Sequence, residues 1–127
     1  MNATALIAED EPLLAQALRH ELAQVCPALQ VLGVVGDGDS ALAQALALRP
    51  DVLFLDIRMP GLSGLEAAAA VAEEWPAGPP DPVLVFVTAH DEFAVQAFDA
   101  RALDYLLKPV QPDRLLRTVA RVQDALR

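Results

Sequence analysis

Short, uniformly apolar runs alternate with longer stretches of helical periodicity along the whole chain. Thr4-Ala5-Leu6-Ile7-Ala8 is the first such run, and it stops abruptly at Glu9-Asp10-Glu11, as a buried strand does on reaching the edge of a sheet. Pro12 suits the first turn of a helix; Leu14, Ala17, Leu18 and Leu22 then recur at helical spacing between Leu13 and Val25, with Pro27 just beyond. Val31 to Val35 predicts a second strand, and Gly36-Asp37-Gly38-Asp39 is turn chemistry leading to a helix from Ser40 to Leu48, closed by Pro50. Val52 to Leu55 is a third strand that again ends in a carboxylate, Asp56. Ser63 and Glu66 form a capping box opening an alanine-rich helix that runs to about Trp75. The proline-rich segment from Pro76 to Pro82 reads as an extended surface loop. A fourth strand, Val83 to Val87, ends at Thr88. A helix from about Asp91 to Phe98, a fifth strand from Leu103 to Leu107 and a last helix from Pro112 to about Leu126 complete the chain.

Five strand–helix units in which the strands are apolar throughout imply a parallel sheet covered on both faces by helices, with right-handed crossovers. The expected fold is therefore α/β: a three-layer (βα)5 doubly wound sheet with the flavodoxin-like strand order 2-1-3-4-5. At 127 residues the chain fits one domain spanning residues 1–127, long enough to bury about two thirds of its unfolded surface. There is no internal repeat.

Composition narrows the function classes. Although 54% of residues are apolar, no apolar run approaches the roughly 18–20 residues of a membrane-spanning helix, so no membrane partner is expected. Met1-Asn2-Ala3-Thr4 has none of the features of a secretion signal, which places the chain in the cytoplasm by default. Cys26 is the only cysteine, which excludes an internal disulfide and a thiolate-rich metal site. A formal charge of −9 repels phosphate backbones, so contact with DNA or RNA requires another domain. Eight of the nine cationic side chains are arginines, leaving Lys108 as the only lysine.

Ligands of an open parallel sheet sit beyond the carboxyl ends of its strands, where the strand order reverses. The order 2-1-3-4-5 puts the first strand beside the third, so Glu9 and Asp10 face Asp56. Each acid alone could equally be a helix cap. Three together repel one another strongly unless a cation or proton intervenes. Magnesium, which takes oxygen ligands and often one or two carboxylates beside a phosphate, suits Asp10 and Asp56 better than zinc does. Lys108 and Thr88 end the fifth and fourth strands and would point at the same pocket. Lys108 follows the apolar pair Leu106-Leu107 and needs an anionic partner.

Glu9-Asp10, Asp56-Ile57-Arg58-Met59-Pro60-Gly61, Thr88-Ala89 and Lys108-Pro109, in that order and at these strand ends, resemble the response-regulator receiver family over essentially the full chain. The resemblance implies that Asp56 accepts a phosphoryl group from a sensor histidine kinase and that Asp10, Asp56 and the backbone carbonyl of Arg58 hold Mg²⁺, with Glu9 acting through water. It also implies that Lys108 pairs with the phosphoryl group, that Thr88 donates to a phosphoryl oxygen, and that Tyr105 turns inward as Thr88 moves. Glu9 stands where aspartate is more usual. A cis peptide at Lys108-Pro109 is part of the same resemblance. Such a domain is a regulatory phosphoacceptor and not a turnover enzyme. The helix after Thr88, the fifth strand and the last helix would form the output face, carrying Asp99, Arg101, Asp104, Arg114, Arg117 and Arg121. Mixed charges of this kind are compatible with a symmetric homodimer and equally with a solvated surface.

The stretch from Thr88 to Phe98, followed by Ala102 to Pro109, is similar to receivers of LytTR-type transcriptional regulators. That subfamily implies a DNA-binding domain following the receiver and control of transcription, and since this chain stops at Arg127, either a shortened regulator or a stand-alone phosphate shuttle or interaction module. Two rival chemistries fit less well. A haloacid-dehalogenase-like phosphatase needs a second acid two residues after its nucleophile, where Arg58 stands. A flavin carrier would have its phosphate repelled by Glu9-Asp10-Glu11.

Overall fold

A computed structural model describes residues 2–127. Its elements are β1 (Thr4–Ala8), α1 (Pro12–Val25), β2 (Gln30–Val35), α2 (Gly38–Leu48), β3 (Val52–Leu55), α3 (Gly64–Glu74), β4 (Val83–Thr88), α4 (Ala94–Asp99), β5 (Asp104–Leu107) and α5 (Pro112–Ala125). All strand pairs are parallel, and the order is β2-β1-β3-β4-β5, as the alternation of strands and helices predicts. This is the flavodoxin-like three-layer α/β fold.

The period-two alternation of each strand divides the interior into two cores. Ala5, Ile7, Val52, Phe54, Val85 and Leu106 face Leu18 and Leu22 of α1 and Leu115, Val119 and Val122 of α5. Leu6, Leu53, Leu55 and Phe86 point the other way, onto Ala41 and Ala45 of α2 and Ala67, Ala68 and Val71 of α3. Each fully buried leucine or phenylalanine in these layers contributes ~1.5–3 kcal/mol. Four-residue β3 is buried at every position, which is why its sequence shows no polar alternation.

Helix starts follow the local chemistry. Proline occupies the first turn of α1 and of α5. Asp37 caps α2 by accepting from Ser40 N, and the Ser63–Glu66 capping box is present at α3. Gly64 sets how closely α3 approaches the end of β3. A Cβ there would fall 2.0 Å from the Asp56 carbonyl oxygen, and Gly64 N donates to the Ile57 carbonyl at 2.7 Å. Only glycine lets the first turn of the helix press against that backbone.

The largest boundary difference from expectation is at the fourth helix. The fourth helix starts at Ala94, three residues later than the Asp91 start that the sequence suggests, because the backbone of the preceding loop is committed elsewhere. Thr88 Oγ1 accepts from His90 N at 3.3 Å, and the Tyr105 hydroxyl donates to the His90 carbonyl. The loop from Pro76 to Pro82 is irregular, as predicted, and it folds back so that Trp75 Nε1 donates to the Pro80 carbonyl. The Lys108–Pro109 peptide is cis.

Candidate functional site

The carboxyl ends of β1, β3, β4 and β5 converge on one depression. Backbone hydrogen bonds fix its rim: Glu9 N donates to the Val35 carbonyl, Asp56 N to the Ala8 carbonyl at 2.9 Å, and Lys108 N to the Thr88 carbonyl at 2.8 Å. Each residue therefore sits one step beyond its strand, held by the last rung of the ladder. The cavity, of about 210 Å³, is lined by Asp10, Glu11, Leu14, Asp56, Arg58, Ala89, His90 and Lys108.

Carboxylate oxygens of Glu9, Asp10 and Asp56 lie within 4.8 Å of one another. Glu9 and Asp56 are buried, while Asp10 is exposed. Lys108 Nζ donates to Asp56 Oδ2 at 2.8 Å and is also ion-paired with Glu9. Asp56 Oδ1 accepts from Ile57 N at 2.7 Å, and Glu9 Oε2 accepts from Glu11 N at 3.1 Å. One ammonium thus serves two buried carboxylates.

The consequence is visible in proton affinity. Burial alone would lower the Lys108 ammonium, but hydrogen bonds to Asp56 and Glu9 outweigh it and hold the group above its ordinary value. Burial pushes the Glu9 carboxyl up, and the Asp56 charge adds to this, against the pull of Lys108 and of Glu11 N–H. Adding Asp10 makes three carboxylates against one cation, a charge excess that a divalent ion would relieve. The donors are hard oxygens, partly buried and partly open to water, a set that fits magnesium.

Thr88 is fully buried at the end of β4. Tyr105, half-buried on β5, reaches the same loop through His90, and burial raises its hydroxyl above the ordinary value, helped by the carboxylates of Glu92, Asp91 and Asp56. The residues singled out in the sequence for the acceptor pocket and its switch, Glu9, Asp10, Asp56, Arg58, Thr88, Tyr105 and Lys108, are therefore brought to one end of the sheet. Glu9 has a direct partner in Lys108 that the sequence does not disclose.

The output face departs from the expected set of free charges. Asp104 is buried, and its carboxylate takes Arg114 Nη1 and Nη2 at 2.9 and 2.6 Å, Thr118 Oγ1 at 2.6 Å and Arg121 Nη1 at 3.3 Å. Burial would raise this carboxyl, yet the hydrogen bonds from Arg114 and Thr118, with one from Tyr105 N, bring it down to about 2. Asp104, Arg114 and Arg121 thus tie β5 to α5 within the molecule, and Asp99, Arg101 and Arg117 remain exposed. Beside them stand exposed apolar side chains: Val95 and Phe98 of α4, Leu107 of β5 and Leu116 of α5.

A second group of contacts has no counterpart among the sequence motifs. Arg58 Nη2 lies 3.5 Å and His90 Nδ1 3.4 Å from Glu92 Oε1. The Arg58 guanidinium also sits 5.5 Å from the centroid of the Phe93 ring, whose neighbour His90 meets it edge-on at 6.1 Å. Nothing in residue spacing signals contacts between two separate loops.

Comparison with known proteins gives a consistent result. A family model described as "Response regulator receiver domain" matches residues 5–120. A response regulatory protein of Vibrio cholerae is 44% identical over 124 residues, covering 98% of this chain and 46% of that protein. The transcriptional regulatory protein BtsR of Escherichia coli K12 is 42% identical over 118 residues, covering 93% of this chain and 47% of BtsR. The chain therefore spans about half the length of the curated relatives it matches. Among solved structures, the REC domain of AraT, a response regulator from Geobacillus stearothermophilus, superposes with a TM-score of 0.87 at 35% identity, covering 99% of this chain and 96% of that one.

Proposed function

Because the chain belongs to the response-regulator receiver family, we propose that its Asp56 is the phosphoacceptor of a two-component system, charged by a sensor histidine kinase. The observation that carries this reading is the pairing of Asp56 Oδ2 with the chain's only lysine at 2.8 Å, inside a cluster of three carboxylates. An oxygen of Asp56 attacks the phosphorus of a phosphohistidine in line. The nitrogen–phosphorus bond breaks and its electron pair returns to the imidazole, which regains neutrality by proton uptake. Phosphoryl transfer asks the protein mainly for alignment and charge neutralisation. Lys108, displaced from Asp56 Oδ2 but anchored by Glu9, pairs with one phosphoryl oxygen, and the Thr88 hydroxyl donates to another.

Asp10, Asp56 and the Arg58 carbonyl would hold Mg²⁺, with Glu9 acting through water; the ion would supply positive charge against the phosphoryl oxygens. No helix among the described residues is long and apolar enough to cross a membrane, and a cytoplasmic site of action suits a kinase-fed phosphoacceptor.

The new group brings roughly −1.5 to −2 charges. It draws the Thr88 hydroxyl away from His90 N, and Tyr105, bonded to the same loop, follows, which changes the α4–β5–α5 face. The exposed Val95, Phe98, Leu107 and Leu116 support homodimer formation through that face. The relatives named as transcriptional regulators, and the LytTR-like stretch from Thr88 to Pro109, support an output through a LytTR-type DNA-binding domain. The test is intact-mass measurement after incubation with acetyl phosphate and Mg²⁺. The wild type gains one phosphoryl group and Asp56→Asn gains none; no gain in the wild type, or equal gain in both, refutes the assignment.

A further inference from the structure

Arg58, Glu92, His90 and Phe93 form a side-chain cluster that joins the loop after β3 to the loop after β4. Arg58 and His90 both line the 210 Å³ cavity above Asp56. Glu92 and Phe93 do not line it; they stand behind, with Glu92 Oε1 between the Arg58 guanidinium and the His90 imidazole at 3.5 and 3.4 Å and the Phe93 ring under the guanidinium at 5.5 Å. We propose that Glu92 and Phe93 are positioning residues that clasp Arg58 to His90 across the mouth of the acceptor pocket, and that this clasp sets how long the aspartyl phosphate survives against water.

The inference rests on the phosphoacceptor reading. Hydrolysis needs a water oxygen to bond to phosphorus as the bond to the Asp56 oxygen breaks. The electron pair returns to the Asp56 carboxylate, and the water's proton leaves with inorganic phosphate. In-line attack brings that water to phosphorus on the side away from Asp56, through the open mouth of the cavity and past Arg58 and His90. Guanidinium on an aromatic face, and an ion pair at its edge, hold Arg58 in one of its many rotamers. Free of the clasp, the long side chain swings into solvent and the mouth widens.

The same clasp has a link to the switch. His90 gives its N–H to Thr88 and its carbonyl to Tyr105, so the residue held by Glu92 is the one that both switch side chains already share.

Two measurements test the proposal. In the metal-free, unphosphorylated protein, the Arg58 side-chain methylene protons carry an upfield ring-current shift in the NMR spectrum. Phe93→Leu abolishes it, Glu92→Gln reduces it, and Phe93→Tyr retains it. In the phosphorylated, Mg²⁺-loaded protein, Glu92→Gln and Phe93→Leu shorten the lifetime of the aspartyl phosphate roughly two- to fivefold, the range that such partly exposed contacts command, and Phe93→Tyr restores it. Mg²⁺ affinity of the variants stays within about twofold of the wild type, since neither side chain is a ligand. A wild type that takes no phosphoryl group overturns the acceptor reading and this proposal with it. A wild type that is phosphorylated while Glu92→Gln and Phe93→Leu keep its phosphate lifetime, or an Arg58 without a ring shift, overturns the proposal alone.

Discussion

Replacing Asp104 by asparagine removes the charge around which β5 and α5 are joined, and the cost can be worked from the geometry. The carboxylate is 5% exposed and receives both Arg114 nitrogens and the Thr118 hydroxyl. These partners carry its pKa from an ordinary 3.8 to about 2. At about 1.36 kcal/mol per tenfold change in proton affinity, that is roughly 2 kcal/mol of stability at neutral pH. The folded value is depressed, so this stabilisation is complete above the unfolded pKa and disappears as pH falls through the folded one. The difference in unfolding free energy between wild type and Asp104→Asn, from urea titrations followed by far-ultraviolet circular dichroism, is therefore roughly 2 kcal/mol at pH 7 and about half that at pH 3. Taking the difference cancels the other carboxylates. A difference below ~0.5 kcal/mol at pH 7, or one that does not change between pH 7 and pH 3, refutes the reasoning.

Gly64→Ala places a methyl group 2.0 Å from the Asp56 carbonyl oxygen, against backbone that cannot yield; a loss of ~2 kcal/mol or more is expected in chemical denaturation. Because the strain falls on the acceptor's own peptide, the phosphorylation rate with acetyl phosphate should fall as well. Phe98→Glu puts a charge on a side chain that is 81% exposed. Monomer stability should change by less than ~0.5 kcal/mol, while the self-association induced by beryllofluoride should be lost in sedimentation velocity. Unaltered dimerisation would move the output surface away from α4.

The strand ends are readable because each buried run of β1, β3 and β5 stops at a charged residue, and a charge cannot continue into a doubly covered sheet. Hydrophobicity alone therefore places Glu9, Asp56 and Lys108 at one end of the sheet. Which carboxylates share the ammonium is not readable, since this depends on side-chain reach across three strands. Asp104 carries a signal that shows only when strand and helix are taken together. It alternates with the buried Leu106, so both point towards α5, and Arg114, Thr118 and Arg121 recur there at helical spacing on one face. These positions jointly indicate an internal ion pair and not a free surface charge. The start of α4 illustrates the opposite limit. Asp91 and Glu92 are good first-turn residues by local chemistry, but the backbone of His90 just before them is held by Thr88 and Tyr105, partners that only the fold brings in.

Lys108 is the only side-chain amine in the chain, and it sits between Glu9 and the acceptor. Nitrogen-15 supplied as lysine would therefore label one side-chain amine, the one that, on the proposed acceptor role of Asp56, exchanges a carboxylate partner for a phosphoryl oxygen. A single resonance, free of overlap, would report the fraction of molecules in each state in real time, without any dye or tag attached to the protein.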